Sequence, residues 1–245
     1  MPSSAKVAMV AALEREVRPL VKRWNRIERE YDGRRFRFFE SGQVVVVCGG
    51  IGAEAARRAT EAAFALYHPE LVLSVGFAGG LDPALKLGDI FAPSRVVDAR
   101  DGSRTEVATG HGVLVSAAAV AGVEAKKKLA ESYGAQAVDM EAAAVARGAL
   151  ARGVGFMAVK AISDESGFRM PAMDRFVDES GQFKTRRFAI FSVLRPWLWP
   201  RVIQLARNGA KASRALCAEL ERYIQEPEKS EVSGPELHPI SKAFD

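Results

Sequence analysis

The chain is short of the residues that staple or metallate a small protein: among 245 residues there are two cysteines and three histidines. Cys48 and Cys217 make no disulfide framework, and with His68, His111 and His238 they fall at no metal-ligand spacing. Cys48 closes the apolar run Val44-Val45-Val46-Val47-Cys48 and is expected as a buried thiol. No run of 18 or more apolar residues occurs, which argues against a membrane-spanning helix. Met1-Pro2-Ser3-Ser4-Ala5-Lys6 lacks a basic leader with a long apolar stretch behind it, so no signal peptide is expected and the cytoplasm is the default location. Charge of one sign is also scarce: 35 Lys+Arg stand against 30 Asp+Glu, a net +5. Much of that excess sits between Lys184 and Arg222. A nucleic-acid partner would want its basic residues clustered on one face, and none is expected here.

What the chain does have is a regular alternation of strand-like and helix-like segments. Lys6 to Ala12 reads as a buried strand, followed by helical spacing from Glu14 to Trp24 with Val17, Leu20 and Val21 on one face. Arg35–Glu40 and Gln43–Cys48 read as paired strands joined at Ser41-Gly42, and Ala53–Tyr67 as an alanine-rich helix. Leu71–Val75 is a buried strand that runs into Gly76-Phe77-Ala78-Gly79-Gly80. Leu87–Ala99 is one strand or two with a bend at Pro93. Val113–Ser116, Ala137–Met140 and Gly155–Ile162 are further strands, and 123–133 and 141–151 are helices. This order predicts a single α/β domain over residues 1–224, with a mixed, mostly parallel central sheet flanked by helices. Residues 184–224 form an extra helical segment interrupted by Pro196 and Pro200. The Pro-, Glu- and Ser-rich residues 225–245 are expected to be a disordered tail.

Acidic residues gather at the strand-to-helix junctions: Glu14 and Glu16, Asp139 and Glu141, Asp164 and Glu165. Ligands of open α/β sheets bind beyond the carboxyl ends of the strands, so these sites could meet over one edge. Each alone has a structural explanation, since a carboxylate in a first helical turn interacts favourably with the helix dipole and Asp164 could cap a helix. Gly49-Gly50-Ile51-Gly52 and Gly76-Phe77-Ala78-Gly79-Gly80 each follow a strand and would let backbone approach a ligand closely. Neither is a dinucleotide or Walker A motif.

Together, Ala11-Ala12-Leu13-Glu14-Arg15-Glu16-Val17, the two glycine segments, Lys86-Leu87-Gly88-Asp89-Ile90, Val138-Asp139-Met140-Glu141 and Ala161-Ile162-Ser163-Asp164 resemble the 5′-methylthioadenosine/S-adenosylhomocysteine nucleosidases of the purine nucleoside phosphorylase superfamily. The resemblance covers roughly residues 6 to 165. It implies hydrolysis of the N-glycosidic bond of a 5′-substituted adenine nucleoside, with no cofactor or metal and at least a homodimer. Glu16 then matches the carboxylate that activates water, and Asp164 the acid that protonates the purine, oriented by Ser163. Glu141 matches the residue that holds the ribose hydroxyls, and Met140 the one packed on the sugar. Ile51, Phe77, Ala78 and Gly79 match residues beside the substrate. Phosphorylases of the superfamily hold phosphate with arginines and a serine in the glycine-rich loop. Phe77 stands at that serine position, and Glu16 would repel the dianion, so hydrolysis is favoured. Arg15 and Arg18 are close in sequence but could point to solvent.

The chain departs from that family in a shorter segment between Val97 and Val113 and in Ala117-Ala118-Ala119-Val120, where nucleosidases carry an acidic and an aromatic residue near the purine. These departures, with Gly80-Leu81-Asp82-Pro83 and Met170-Pro171, look more like a hopanoid-biosynthesis-associated branch, proposed to remove adenine from adenosylhopane. Residues 186–203, where Trp197 and Trp199 lie among arginines, would suit peripheral contact with a membrane, although aromatic stripes at helical spacing are usually buried, in a core, a dimer interface or a lid over the site. A nucleoside-binding module without catalysis is the non-enzymatic alternative.

Overall fold

The computed structural model describes residues 5–168 and 199–230. In chain order the elements are β1 (Val7–Ala11), α1 (Glu14–Val21), β2 (Asn25–Tyr31), β3 (Arg34–Ser41), β4 (Val44–Cys48), α2 (Ala53–Tyr67), β5 (Leu71–Gly80), β6 (Ile90–Phe91), β7 (Arg95–Asp98), β8 (Arg104–Glu106), β9 (Val113–Ser116), α3 (Val123–Tyr133), β10 (Ala137–Asp139), α4 (Ala142–Leu150), β11 (Gly155–Asp164) and α5 (Trp199–Ser230). They build one mixed sheet. β4, β1, β5 and β11 lie parallel side by side. β10 joins the end of β5 antiparallel at Gly79 and Gly80. β9 and β7 continue parallel from β10. The margins are antiparallel: the β2–β3 ribbon on β4, β8 on β7, and β6 on β11.

The central strands read as continuous apolar runs because both sheet faces are covered. In β1, Ala8 and Val10 face α2 and α4 together with Val45 and Val47. Met9 and Ala11 face the other way, with Val46, onto Val17, Leu20 and Val21 of α1 and Leu216 and Leu220 of α5. Alanines let α2 lie close to the sheet. A Cβ on Gly49 would fall 2.5 Å from the Ala59 Cβ and 2.9 Å from the Ala55 carbonyl oxygen, so only glycine fits that crossing.

Four local readings change. The second glycine segment is not a loop, because β5 runs through it to Gly80 and pairs with β11 as far as Asp164 opposite Gly79. β2 and β8 are strands that the alternation of apolar residues did not reveal. Both are charged, at the sheet margin, and mostly exposed. Cys48 is half-buried rather than enclosed, at the open end of β4. α5 runs to Ser230, past the expected limit at 224. The segment 186–198, Met170-Pro171 and residues 231–245 lie outside the described residues. Among the described residues no helix is long and apolar enough to cross a membrane.

Candidate active site

The ends of β1, β5, β10 and β11 border an open cleft enclosing ≈ 680 Å³ of space, part of it open to solvent. All nine residues singled out above line it: Glu16, Ile51, Phe77, Ala78, Gly79, Met140, Glu141, Ser163 and Asp164. Glu14 is turned away and pairs with Arg37 of β3 at 2.6 Å. Arg15, in contrast, lines the cavity.

Glu16 sits in the first turn of α1 and is buried. Its Oε2 is enclosed and has no hydrogen-bond partner. Burial, then the neighbouring Glu141 carboxylate, pushes its carboxyl from 4.5 up to about 7, against weaker opposite pulls from Arg15, Lys160 and a backbone bond at Leu13. Gly76 of β5, at φ +147°, makes the room, since a Cβ there would stand 2.8 Å from Glu16 Oε2. From the far side α5 holds the α1 backbone: the Ser213 hydroxyl donates to the Arg15 carbonyl at 3.2 Å and the Cys217 thiol reaches the Glu16 carbonyl at 3.7 Å.

Glu141 precedes α4. It accepts from the Gly52 N–H at 2.7 Å and the Met140 N–H at 3.2 Å. The first glycine loop therefore serves the cavity, its φ of +94° at Gly52 aiming an amide at this carboxylate. Burial and the nearby Asp139 carboxylate raise Glu141 to about 7 as well. Asp139 itself has a structural task. It accepts from Lys160 Nζ at 2.9 Å, from Ser116 Oγ at 2.6 Å and from the Ala142 N–H at the start of α4 at 2.9 Å. Lys160 Nζ also donates to Ser74 Oγ at 2.9 Å, and both Lys160 and Asp139 are buried.

At the opposite end, Asp164 closes β11. Its Oδ1 accepts from Ser163 Oγ at 2.7 Å, and its Oδ2 is ion-paired with Lys126 of α3. Lys126 lines the cavity and is as buried as its partner. It was missed in the sequence because Lys126-Lys127-Lys128 reads as a solvated helical run. Ala119, Val120 and Ala121 form an apolar wall beside it. Among the described residues no group of three His, Cys, Asp or Glu is placed to hold a metal ion.

This arrangement offers two carboxyls poised near neutrality at one end, able to accept a proton from water, and a carboxylate–ammonium pair at the other. Known proteins agree on the scaffold. A 5′-methylthioadenosine/S-adenosylhomocysteine nucleosidase of Marinomonas sp. is 33% identical over 95 residues, which are 37% of this chain and 41% of that protein. The chain thus spans about two fifths of that relative's length. One of Bacillus licheniformis is 25% identical over 224 residues, covering 74% of this chain and 95% of its own. The crystal structure of the Helicobacter pylori 5′-methylthioadenosine/S-adenosylhomocysteine nucleosidase with a bound inhibitor superposes with a TM-score of 0.68 at 20% identity, over 91% of this chain and 99% of the other. The profile of the phosphorylase superfamily matches residues 6–119 and 106–193. With three-quarters of its length matched by that profile and its sheet superposing on a solved relative, the chain belongs to the phosphorylase superfamily.

Proposed function

We propose that the chain hydrolyses the N-glycosidic bond of a 5′-substituted adenine nucleoside and releases adenine. The observation that carries this reading is the convergence of Glu16, Glu141 and Asp164 on one cavity. Glu16 takes the proton of the attacking water, as a carboxylate does in inverting glycosidases. Its elevation to about 7 suits a base working near neutral pH. Glu141, fixed by the Gly52 and Met140 amides, binds the ribose hydroxyls through charge-assisted hydrogen bonds, with Met140 packed on the sugar. Asp164, oriented by Ser163, delivers a proton to the purine as the bond to the sugar breaks. Ile51, Phe77, Ala78 and Gly79 shape the wall between the two ends. The names of the nucleosidase relatives support the same substrate class.

One observation favours a second reading. Arg15 lines the cavity next to Glu16 and could attract phosphate, which would make the reaction a phosphorolysis. Phe77 offers no hydroxyl for that anion. The test is chromatography of free base and sugar after incubation with 5′-methylthioadenosine, S-adenosylhomocysteine and 5′-alkyl adenosines of increasing chain length, with and without phosphate. Hydrolysis yields adenine at a rate independent of phosphate, whereas formation of a sugar 1-phosphate would establish phosphorolysis. Absence of free adenine from every nucleoside would overturn the proposal. A homodimer, and contact of residues 186–203 with a lipid surface that presents a long-chain substrate, complete the reading and are checked by light scattering and by liposome co-sedimentation.

A further inference from the structure

Lys126 has no role in the scheme above, yet it occupies the cavity. It is 2% exposed, a low value for a lysine. Its ammonium meets three acceptors, the Asp164 Oδ2, the Asp164 carbonyl at 3.4 Å and the Glu165 carbonyl at 2.8 Å. An ammonium has three N–H donors, so all are engaged, and all on the end of β11. The backbone of β5 has been cleared for this pair. A Cβ on Gly79 would stand 3.1 Å from Asp164 Oδ2, 3.1 Å from Lys126 Cε and 3.2 Å from Nζ. With Oδ1 taken by the Ser163 hydroxyl and Oδ2 by the ammonium, Asp164 accepts on both oxygens. The ammonium therefore stands where it can hand a proton to that carboxylate.

We propose that Lys126 is the proton-holding positioning residue of Asp164, and that the two act as a lysine–aspartate relay toward the leaving base. This rests on the nucleosidase reading. As the bond from the sugar carbon to the purine breaks, its electron pair passes to the purine. An Nζ–H bond of Lys126 breaks as its proton passes to the Asp164 oxygen, and the proton passes on from that oxygen to a purine ring nitrogen, leaving Asp164 a carboxylate and Lys126 a neutral amine. The attacking water bonds to the sugar carbon and gives its proton to Glu16. Release of that proton to solvent and uptake of one by the neutral Lys126 amine reset the site. The other charged groups bordering this cavity are Arg15 and Glu16 of α1 and Asp139 and Glu141 around the start of α4. Glu165 is adjacent on the chain, and Lys160 is committed to Asp139. On α3 itself Lys127 and Glu131 pair at 4.0 Å and are exposed.

The experiment measures kcat and the pH profile of adenine release for the full chain, K126R and K126M. Arginine keeps the charge but does not surrender a proton in proteins, so K126R, checked for native folding by circular dichroism, loses about 10²-fold or more in kcat at every pH. In K126M the carboxyl must carry the proton itself, so activity survives only toward acid and the alkaline limb moves down by more than one pH unit. K126R with the parent's kcat and pH profile would overturn the relay and leave Lys126 a structural ion-pair partner. If K126M fails to fold, K126R decides alone. No release of base by the parent chain overturns the nucleosidase reading and the relay with it, an outcome distinct from an active parent with an unaffected K126R.

Discussion

Replacing Glu16 by glutamine should stabilise the protein at alkaline pH while abolishing its reaction. In the unfolded chain the carboxyl titrates near its ordinary value of 4.5, and burial in the fold raises it to about 7. A carboxyl raised on folding binds more protons in the native state, so stability falls as pH climbs through the window from 4.5 to about 7. Below 4.5 both states are neutral and the penalty is absent. Above 7 it is fully developed, and at about 1.4 kcal/mol per pH unit it amounts to about 3 kcal/mol. Glutamine has nearly the same shape and no charge, so E16Q removes the penalty. Whatever offset the new amide brings is the same at both ends of the range and cancels in the comparison. The assay is urea unfolding of parent and E16Q at pH 4 and pH 8.5. The E16Q-minus-parent difference should grow by about 3 kcal/mol between them, equivalent to roughly 6–12 °C in melting temperature. A difference that stays constant with pH would refute the raised, buried carboxyl. Over the same range the rate of adenine release should fall at least about 10²-fold, as expected for loss of a general base.

Three further outcomes follow from the same geometry. Gly76→Ala places a side chain 2.8 Å from Glu16 Oε2 at φ +147°; it should cost about 1–3 kcal/mol in urea unfolding and lower kcat by displacing Glu16. Lys160→Met strands the buried Asp139 carboxylate without its cation, a loss of about 3–5 kcal/mol by the same measurement. Asp164→Asn should reduce kcat about 10²- to 10⁴-fold with little change in nucleoside binding by calorimetry.

The sequence and the structure part company where charge hides a structural role. The core strands were legible because β1, β4 and β5 carry apolar side chains toward both faces, a pattern that survives without context. β2, Asn-Arg-Ile-Glu-Arg-Glu-Tyr, shows only Ile27, Arg29 and Tyr31 as inward positions, too weak a rhythm when one of them is itself charged and three more charged residues lie between and before them. The three acidic junctions were legible as a set because strand ends in such sheets share an edge, and Glu16 was set apart from Glu14 by the family resemblance, with the structure turning Glu14 toward Arg37. Asp139 was read as part of the acid cluster, and its bond to Lys160 needed a partner 21 positions on. Lys126 left no trace at all, since one buried lysine among three consecutive ones differs from its neighbours only in the direction its stem takes across the cavity.

Strand β5 touches both ends of that cavity. Its Gly76 yields to the Glu16 carboxyl and its Gly79 to the Lys126–Asp164 pair, so the gap between the two proposed proton-transfer groups is measured out along three residues of one polypeptide, about 10 Å at the rise of a β-strand. Side chains elsewhere around the cavity can be exchanged without touching that spacing. The ruler itself is peptide backbone, and inserting or deleting a single residue there would change the distance between those two groups.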